Sequence, residues 1–275
     1  MNRTAKFAAL LLSAAIAAPG IAAAQSKVTL TAAGSTALLP LVKEAAAAYT
    51  AANPSVTINV QGGGSRVGIT QAAAKTVDFG MSDIVASKKD FPDLVDNKIC
   101  VVGFAVVASP DVTVDSLTRQ QVADIFTGKI TNWKDVGGKD QRITIVNRPR
   151  SSGTRAVFSQ VMLGGKQPSD QGLVQDATGT VVTTVKTTPG SVSYAAFSGI
   201  RNQGLKELKI DGNAPTDDNV TTGKWPIWSY EHIFTNGPPN GDQSKFLAFL
   251  RSNSALINKL GYIPIRDMKV QETDR

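Results

Sequence analysis

Three short segments of this chain carry the residue types from which an oxyanion site is built. Gly34-Ser35-Thr36, Gly64-Ser65 and Ser151-Ser152-Gly153-Thr154 each combine a hydroxyl with a glycine. The hydroxyl can donate to an oxyanion, and glycine lets the backbone come close. Free N–H groups at a helix N-terminus add donors and a partial positive charge. Any one such turn is equally an ordinary helix cap, since Ser and Thr are favoured there in every protein. It is the recurrence of three that points to anion binding. None is a nucleotide loop: no Gly-Lys-Ser/Thr follows at the P-loop spacing, and Gly62–Gly68 does not complete the dinucleotide fingerprint.

Charged groups stand beside these turns. Arg148 and Arg150 precede the third one, and a guanidinium fork suits a tetrahedral oxyanion; the alternative is a solvated surface arginine. Asp83 closes the strand-like Val77–Met81 segment, either facing the same ligand or capping whatever follows. The single histidine, His232, lies in an apolar strand-like stretch and reads as a structural residue rather than a base. The single cysteine, Cys100, reads as a small core hydrophobe. One His and one Cys exclude a disulfide framework, Cys-rich zinc and multi-histidine metal centres. Any Ser-His-Asp or Cys-His device would have to run through His232. No catalytic, metal or cofactor residue is assigned.

The elements that must hold these turns alternate along the chain. Lys27–Ala33, Val56–Gln61, Val77–Met81, Ile143–Asn147 and Ser191–Ala195 read as strands. Helices are expected from Thr36, as N-cap, to Ala52, with Pro40 tolerated in the first turn. Others are expected from Ser65 to Lys75, Leu117 to Thr127, after Ser152 to Leu163, and Thr180 to Thr187, with one amphipathic helix over Lys245–Lys259. Ile99–Ala108 and Trp225–Thr235 are long apolar runs that fit strands passing between two lobes. Each hydroxyl-bearing turn falls between a strand and a helix, the place where open α/β sheets bind ligands.

At 275 residues and 42% hydrophobic content, the chain suffices for about two domains, and disorder is excluded. Met1 to Ala24 reads as an export signal: Arg3 and Lys6, a short apolar run, then Ala22-Ala23-Ala24 before Gln25. The run falls short of the roughly 20 residues a membrane anchor needs. Without the signal the chain has 27 basic against 22 acidic residues, with no basic run or aromatic interleaving, so no nucleic-acid partner is expected. The Asn219-Val220-Thr221 sequon recurs too often by chance to carry weight.

Taken together, the motifs resemble the periplasmic phosphate-binding protein family, the substrate-binding component of the phosphate ABC importer. The resemblance rests on the order Ala33-Gly34-Ser35-Thr36 with Pro40, Gly62-Gly63-Gly64-Ser65 and Asp78-Phe79-Gly80-Met81-Ser82-Asp83. It continues through Ile125-Phe126-Thr127-Gly128-Lys129-Ile130-Thr131-Asn132-Trp133, Arg148 with Ser152-Gly153-Thr154, Gly190-Ser191-Val192-Ser193-Tyr194 and Leu208-Lys209-Ile210-Asp211-Gly212. It implies an α/β, two-lobed periplasmic-binding-protein fold of type II: two mixed sheets flanked by helices and joined by two crossing segments. The expected division is a signal over residues 1–24, lobe 1 over 25–105 plus 230–275, and lobe 2 over 106–229. The resemblance implies phosphate contacts at Thr36, Ser65, Asp83, Arg148, Ser152, Gly153 and Thr154, with Ser35 a neighbouring candidate and Arg150 less secure. Ala37 stands where some relatives have an aromatic residue. The implied protein is a monomer, periplasmic or secreted, that delivers inorganic phosphate to a membrane permease. Two alternatives use the same site: an exported phosphatase, and a secreted scavenger or adhesion factor with no transport partner.

Overall fold

Val28, Leu30 and Ala32 turn toward the interior of the first strand while Thr29 faces solvent, the period-2 pattern of a half-buried strand. The computed structural model describes residues 27–274; the expected export signal lies outside the described residues. The chain opens with β1 (Val28–Gly34), α1 (Leu39–Ala52), β2 (Val56–Gln61), α2 (Ser65–Ala73), β3 (Phe79–Ser82) and β4 (Leu94–Ala108). Next come β5 (Ser116–Leu117), α3 (Arg119–Phe126), β6 (Thr144–Asn147), α4 (Gly153–Leu163), β7 (Leu173–Val174), α5 (Thr178–Thr187) and β8 (Ser191–Ala196). It ends with α6 (Phe197–Ile200), β9 (Lys206–Glu207), β10 (Lys209–Ile210), α7 (Asp217–Thr221), β11 (Trp228–Asn236), α8 (Gly241–Ser252) and α9 (Ser254–Lys259).

Among the described residues the main sheet runs β2-β1-β3-β11-β4-β8-β6-β7, with β9 added to β4. The two long strands hold it together. Residues Leu94 to Gly103 of β4 pair antiparallel with β11, whereas Phe104 to Ala108 pair with β8, and Val107 and Ala108 also with β9. The chain leaves one lobe along β4 and returns along β11, where Phe104 N donates to Ile227 O at 2.8 Å. Both strands are almost wholly buried, so their apolar continuity is that of strands covered on two faces. No helix among the described residues is long and apolar enough to cross a membrane.

Three expectations about elements are corrected. The first helix starts at Leu39, with Leu38 in the cap position, so Thr36 is not its N-cap. Ser35 takes that work: its Oγ accepts from Ala37 N and Leu38 N, both at 3.1 Å. Pro40 does sit in the first turn. The expected C-terminal helix is two helices, broken at Asn253, whose side chain accepts from Leu256 N and restarts the chain as α9. Asp83 caps no helix, because an irregular segment leads from it into β4.

Packing fixes the strand ends that carry the site. Helix α1 lays Leu41, Val42, Ala45, Ala46 and Tyr49 inward, and Tyr49 meets Phe246 and Phe249 edge-on. In the other lobe Phe158 of α4 stacks on Tyr194 of β8 at 4.2 Å, with Phe126 of α3 against both rings. Burying each such ring contributes about 1.5–3 kcal/mol, so α4 is held firmly at the end where it meets the site.

Candidate functional site

The carboxyl ends of the parallel strands β1, β2 and β3 converge. Gly64 N donates to Gly34 O, and Ser35 N to Met81 O, both at 2.9 Å. Their turns bring Ser35, Thr36, Ser65 and Asp83 together. From the other lobe, β6 delivers Arg148 and the start of α4, where Ser152 caps the helix by accepting from Arg155 N. All eight residues expected from the sequence are buried at one place.

Asp83 is the hub. Ser35 Oγ donates to its Oδ1, and Thr154 Oγ1 donates to its Oδ2 at 2.8 Å. Its backbone N–H donates to Ser65 Oγ at 2.9 Å. Thr154 belongs to one lobe and Ser35 to the other, so this carboxylate spans the junction. Glycine makes the approach close. At Gly64, with φ near 94°, a Cβ would lie 2.7 Å from Ser151 O, and at Gly153 it would run into Ser65 Oγ.

Arg148 is 1% exposed, so the solvated alternative does not hold. Its Nη2 donates to Thr36 Oγ1 at 3.0 Å and to Asp176 O at 2.9 Å. Its Nε and Nη1 are enclosed without a protein partner. Burial lowers the pKa of this guanidinium, opposed first by the negative charge of Asp83, yet an arginine remains charged at any physiological pH. A buried cation with two unmet donor positions, ringed by hydroxyls, is complementary to an anion.

Supporting contacts hold Arg148 in place. Arg155 Nη1 donates to Arg148 O at 2.6 Å, Asn147 Oδ1 accepts from Arg148 N at 2.8 Å, and Tyr194 OH donates to that same Oδ1 at 2.5 Å. Arg150 is exposed, and only its carbonyl is used here, accepting from Arg66 Nε at 3.1 Å. His232 is buried, with Nδ1 2.8 Å from Asp96 Oδ1 and its ring stacked on Phe234. Cys100 is buried in the core, where burial pushes its thiol pKa well up. Among the described residues no group of three His, Cys, Asp or Glu side chains gathers as metal ligands would.

One site residue escapes the sequence reading. Helix α5 begins at Thr178, two residues before the expected start. The Thr178 hydroxyl lies 3.4 Å from that of Thr36, and its N–H donates to Thr36 Oγ1 at 3.4 Å. The signal was present: Ala177-Thr178-Gly179-Thr180 repeats the hydroxyl-and-glycine composition of the other turns.

Residues 20–254 match the family described as the PBP superfamily domain. The phosphate-binding protein PstS of Bacillus subtilis is 43% identical over 248 residues, covering 88% of this chain and 82% of that protein. A solved structure from Clostridium perfringens, described as a phosphate ABC transporter substrate-binding protein with bound phosphate, superposes with a TM-score of 0.81. It is 26% identical and covers 86% of this chain and 99% of that one. A more distant relative, alkaline phosphatase L of Pseudomonas aeruginosa, is 26% identical over 92% of this chain and 78% of that protein.

Proposed function

The chain belongs to the phosphate-binding proteins of the PBP superfamily, and from that premise we propose that it captures inorganic phosphate between two lobes and delivers it to an ABC permease. The observation that carries this is the buried Arg148 guanidinium, two of whose donor positions have no protein partner, set among the Ser35, Thr36, Ser65, Thr154 and Thr178 hydroxyls. Together with Ser152 and the Gly153 backbone, these groups replace the water shell of one tetrahedral anion. The lobes are residues 25–105 with 230–275, and residues 106–229; from the first, the tail reaches back across, Lys269 N donating to Thr221 O at 2.9 Å. The protein works as a monomer, exported to the periplasm or beyond the cell, and is not an enzyme.

Asp83 provides the discrimination. Phosphate near neutral pH carries at least one proton, and sulfate carries none. The Asp83 carboxylate accepts a hydrogen bond from a phosphate O–H, whereas sulfate turns only lone pairs toward it. A site built around a ligand's donor rejects an analogue lacking it by about 10⁴-fold. Calorimetric titration of wild type and Asp83→Asn with both anions tests this; discrimination unchanged in the variant removes Asp83 from the role. Lobe closure on the anion expels water and strengthens every polar contact. Scattering profiles with and without phosphate should therefore differ, the liganded form being more compact.

The phosphatase relative keeps a second reading in view, since an oxyanion site can also stabilise a phosphoryl transition state. Hydrolysis would need a base for its nucleophile, and His232 is committed to Asp96. An assay of phosphate-ester hydrolysis, with and without divalent metals, separates the two; turnover lost on Asp83→Asn would favour the enzyme.

A further inference from the structure

Glu231 is a buried acid for which the binding scheme has no use. It is fully enclosed on β11, and neither carboxyl oxygen receives an N–H or O–H donor. The antiparallel pairing of His232 with Ser82 across β11 and β3 places Glu231 opposite Asp83, one position beyond that pair, so the two side chains share a face of the sheet. On its other side Glu231 stands in register with Cys100 of β4, and Tyr262, from the segment after α9, is the remaining ionisable group beside it. None of the three brings a positive charge.

Two carboxyl groups enclosed together retain one proton between them. Their partners decide where it resides. Asp83 accepts from Ser35 and Thr154 and stands close to the Arg148 charge. Glu231 has no such donor, and its burial, followed by the Asp83 charge, pushes its carboxyl well above the usual range. We propose that Glu231 is a positioning residue of the phosphate site: a neutral carboxylic acid whose O–H donates to Asp83 and holds that carboxylate aimed at the ligand. The inference rests on Asp83 being the acceptor for phosphate. It also gives the site an alkaline limit, because loss of the Glu231 proton places a second negative charge against the first.

The test is phosphate titration of the full chain from pH 6 to 10 for wild type, Glu231→Gln, Glu231→Leu and Asp83→Asn. Phosphate's own ionisation affects wild type and the two Glu231 variants alike. Glutamine keeps a donor and cannot ionise, so it should bind within about threefold of wild type at pH 7 and lack the extra alkaline fall. Leucine removes the donor and should bind about tenfold more weakly. Infrared difference spectra at pH 7 should show the carbonyl stretch of a protonated acid in wild type and not in Glu231→Gln, a readout that stands even if Glu231→Leu does not fold. Identical pH profiles for wild type and Glu231→Gln, or no such band, overturn the inference. Asp83→Asn binding like wild type instead overturns the reading of Asp83 on which it rests.

Discussion

Glu231 and His232 are neighbours on one strand and face opposite ways, and the polar clusters they join differ in kind. On the His232 side the partners saturate each other. His232 Nδ1 pairs with Asp96 Oδ1 at 2.8 Å, and the His232 ring stacks on Phe234, the next residue on the same face. On the Glu231 side, Arg148 keeps two unpartnered nitrogens and Glu231 two oxygens that receive no donor. A saturated buried network secures the fold and has no capacity left over. A network with unmet donors is costly to keep in a folded protein, and a charged ligand relieves that cost. Hydrogen-bonding capacity left unused, rather than the presence of a reactive residue type, marks the functional side of this strand.

That contrast can be broken most severely at Arg148. Arg148→Met should weaken phosphate binding by about 10³-fold, as expected for loss of a buried charge-assisted donor set. A loss under tenfold by calorimetry would place the anion's charge partner elsewhere. Next comes Gly153→Ala, whose Cβ collides with Ser65 and holds the two turns apart. Affinity should fall about 10²-fold, seen as a smaller phosphate-induced rise in Tm. An undiminished rise would mean that the turns need not approach so closely.

The saturated side should respond in the opposite currency. His232→Ala should lower unfolding stability by about 2–4 kcal/mol through a cavity and a lost hydrogen bond, while phosphate affinity stays within about twofold. A large affinity loss there would erase the distinction between the two clusters. A pH series sharpens the comparison further. Because the folded state holds the Glu231 proton above the ordinary value of 4.5, wild type binds more protons folded than unfolded over that range. Its stability therefore falls relative to Glu231→Gln as pH rises from about 4.5 toward the raised value, by up to about 1.4 kcal/mol per pH unit. Urea unfolding at pH 4, 6 and 8 measures the gap; a gap that does not change with pH would show that Glu231 is not held protonated.

Much of this is legible in the sequence, and what is not legible fails for identifiable reasons. The strands and the turns that follow them could be read because period-2 burial and Gly-Ser or Ser-Gly-Thr turns are local signals. Thr36 was misread as a cap because a hydroxyl three residues before a helix looks the same whether it serves its own backbone or a distant arginine; Ser35 had already taken the local bonds. Thr178 was passed over because its helix was expected to begin at Thr180. Glu231 was hidden inside Trp228–Asn236, where one acid in an apolar run gives no hint of what it faces. The break at Asn253 was missed because the apolar spacing continues across it.

The amino-acid sequence alone determined the alternation of strands and helices, the three hydroxyl-bearing turns and the shortage of catalytic residue types, since each depends on residues near one another in the chain. Only the tertiary structure decided which hydroxyls point inward, that Asp83 bridges Ser35 and Thr154, that Arg148 is buried with unmet donors, and that Glu231 stands opposite Asp83 across β11 and β3. The bridge from Ser35 through Asp83 to Thr154 alone joins residues 48 and 71 positions apart. Those facts follow from how the two halves of the sheet, joined through β4, bring their strand ends onto one point, which no local pattern encodes.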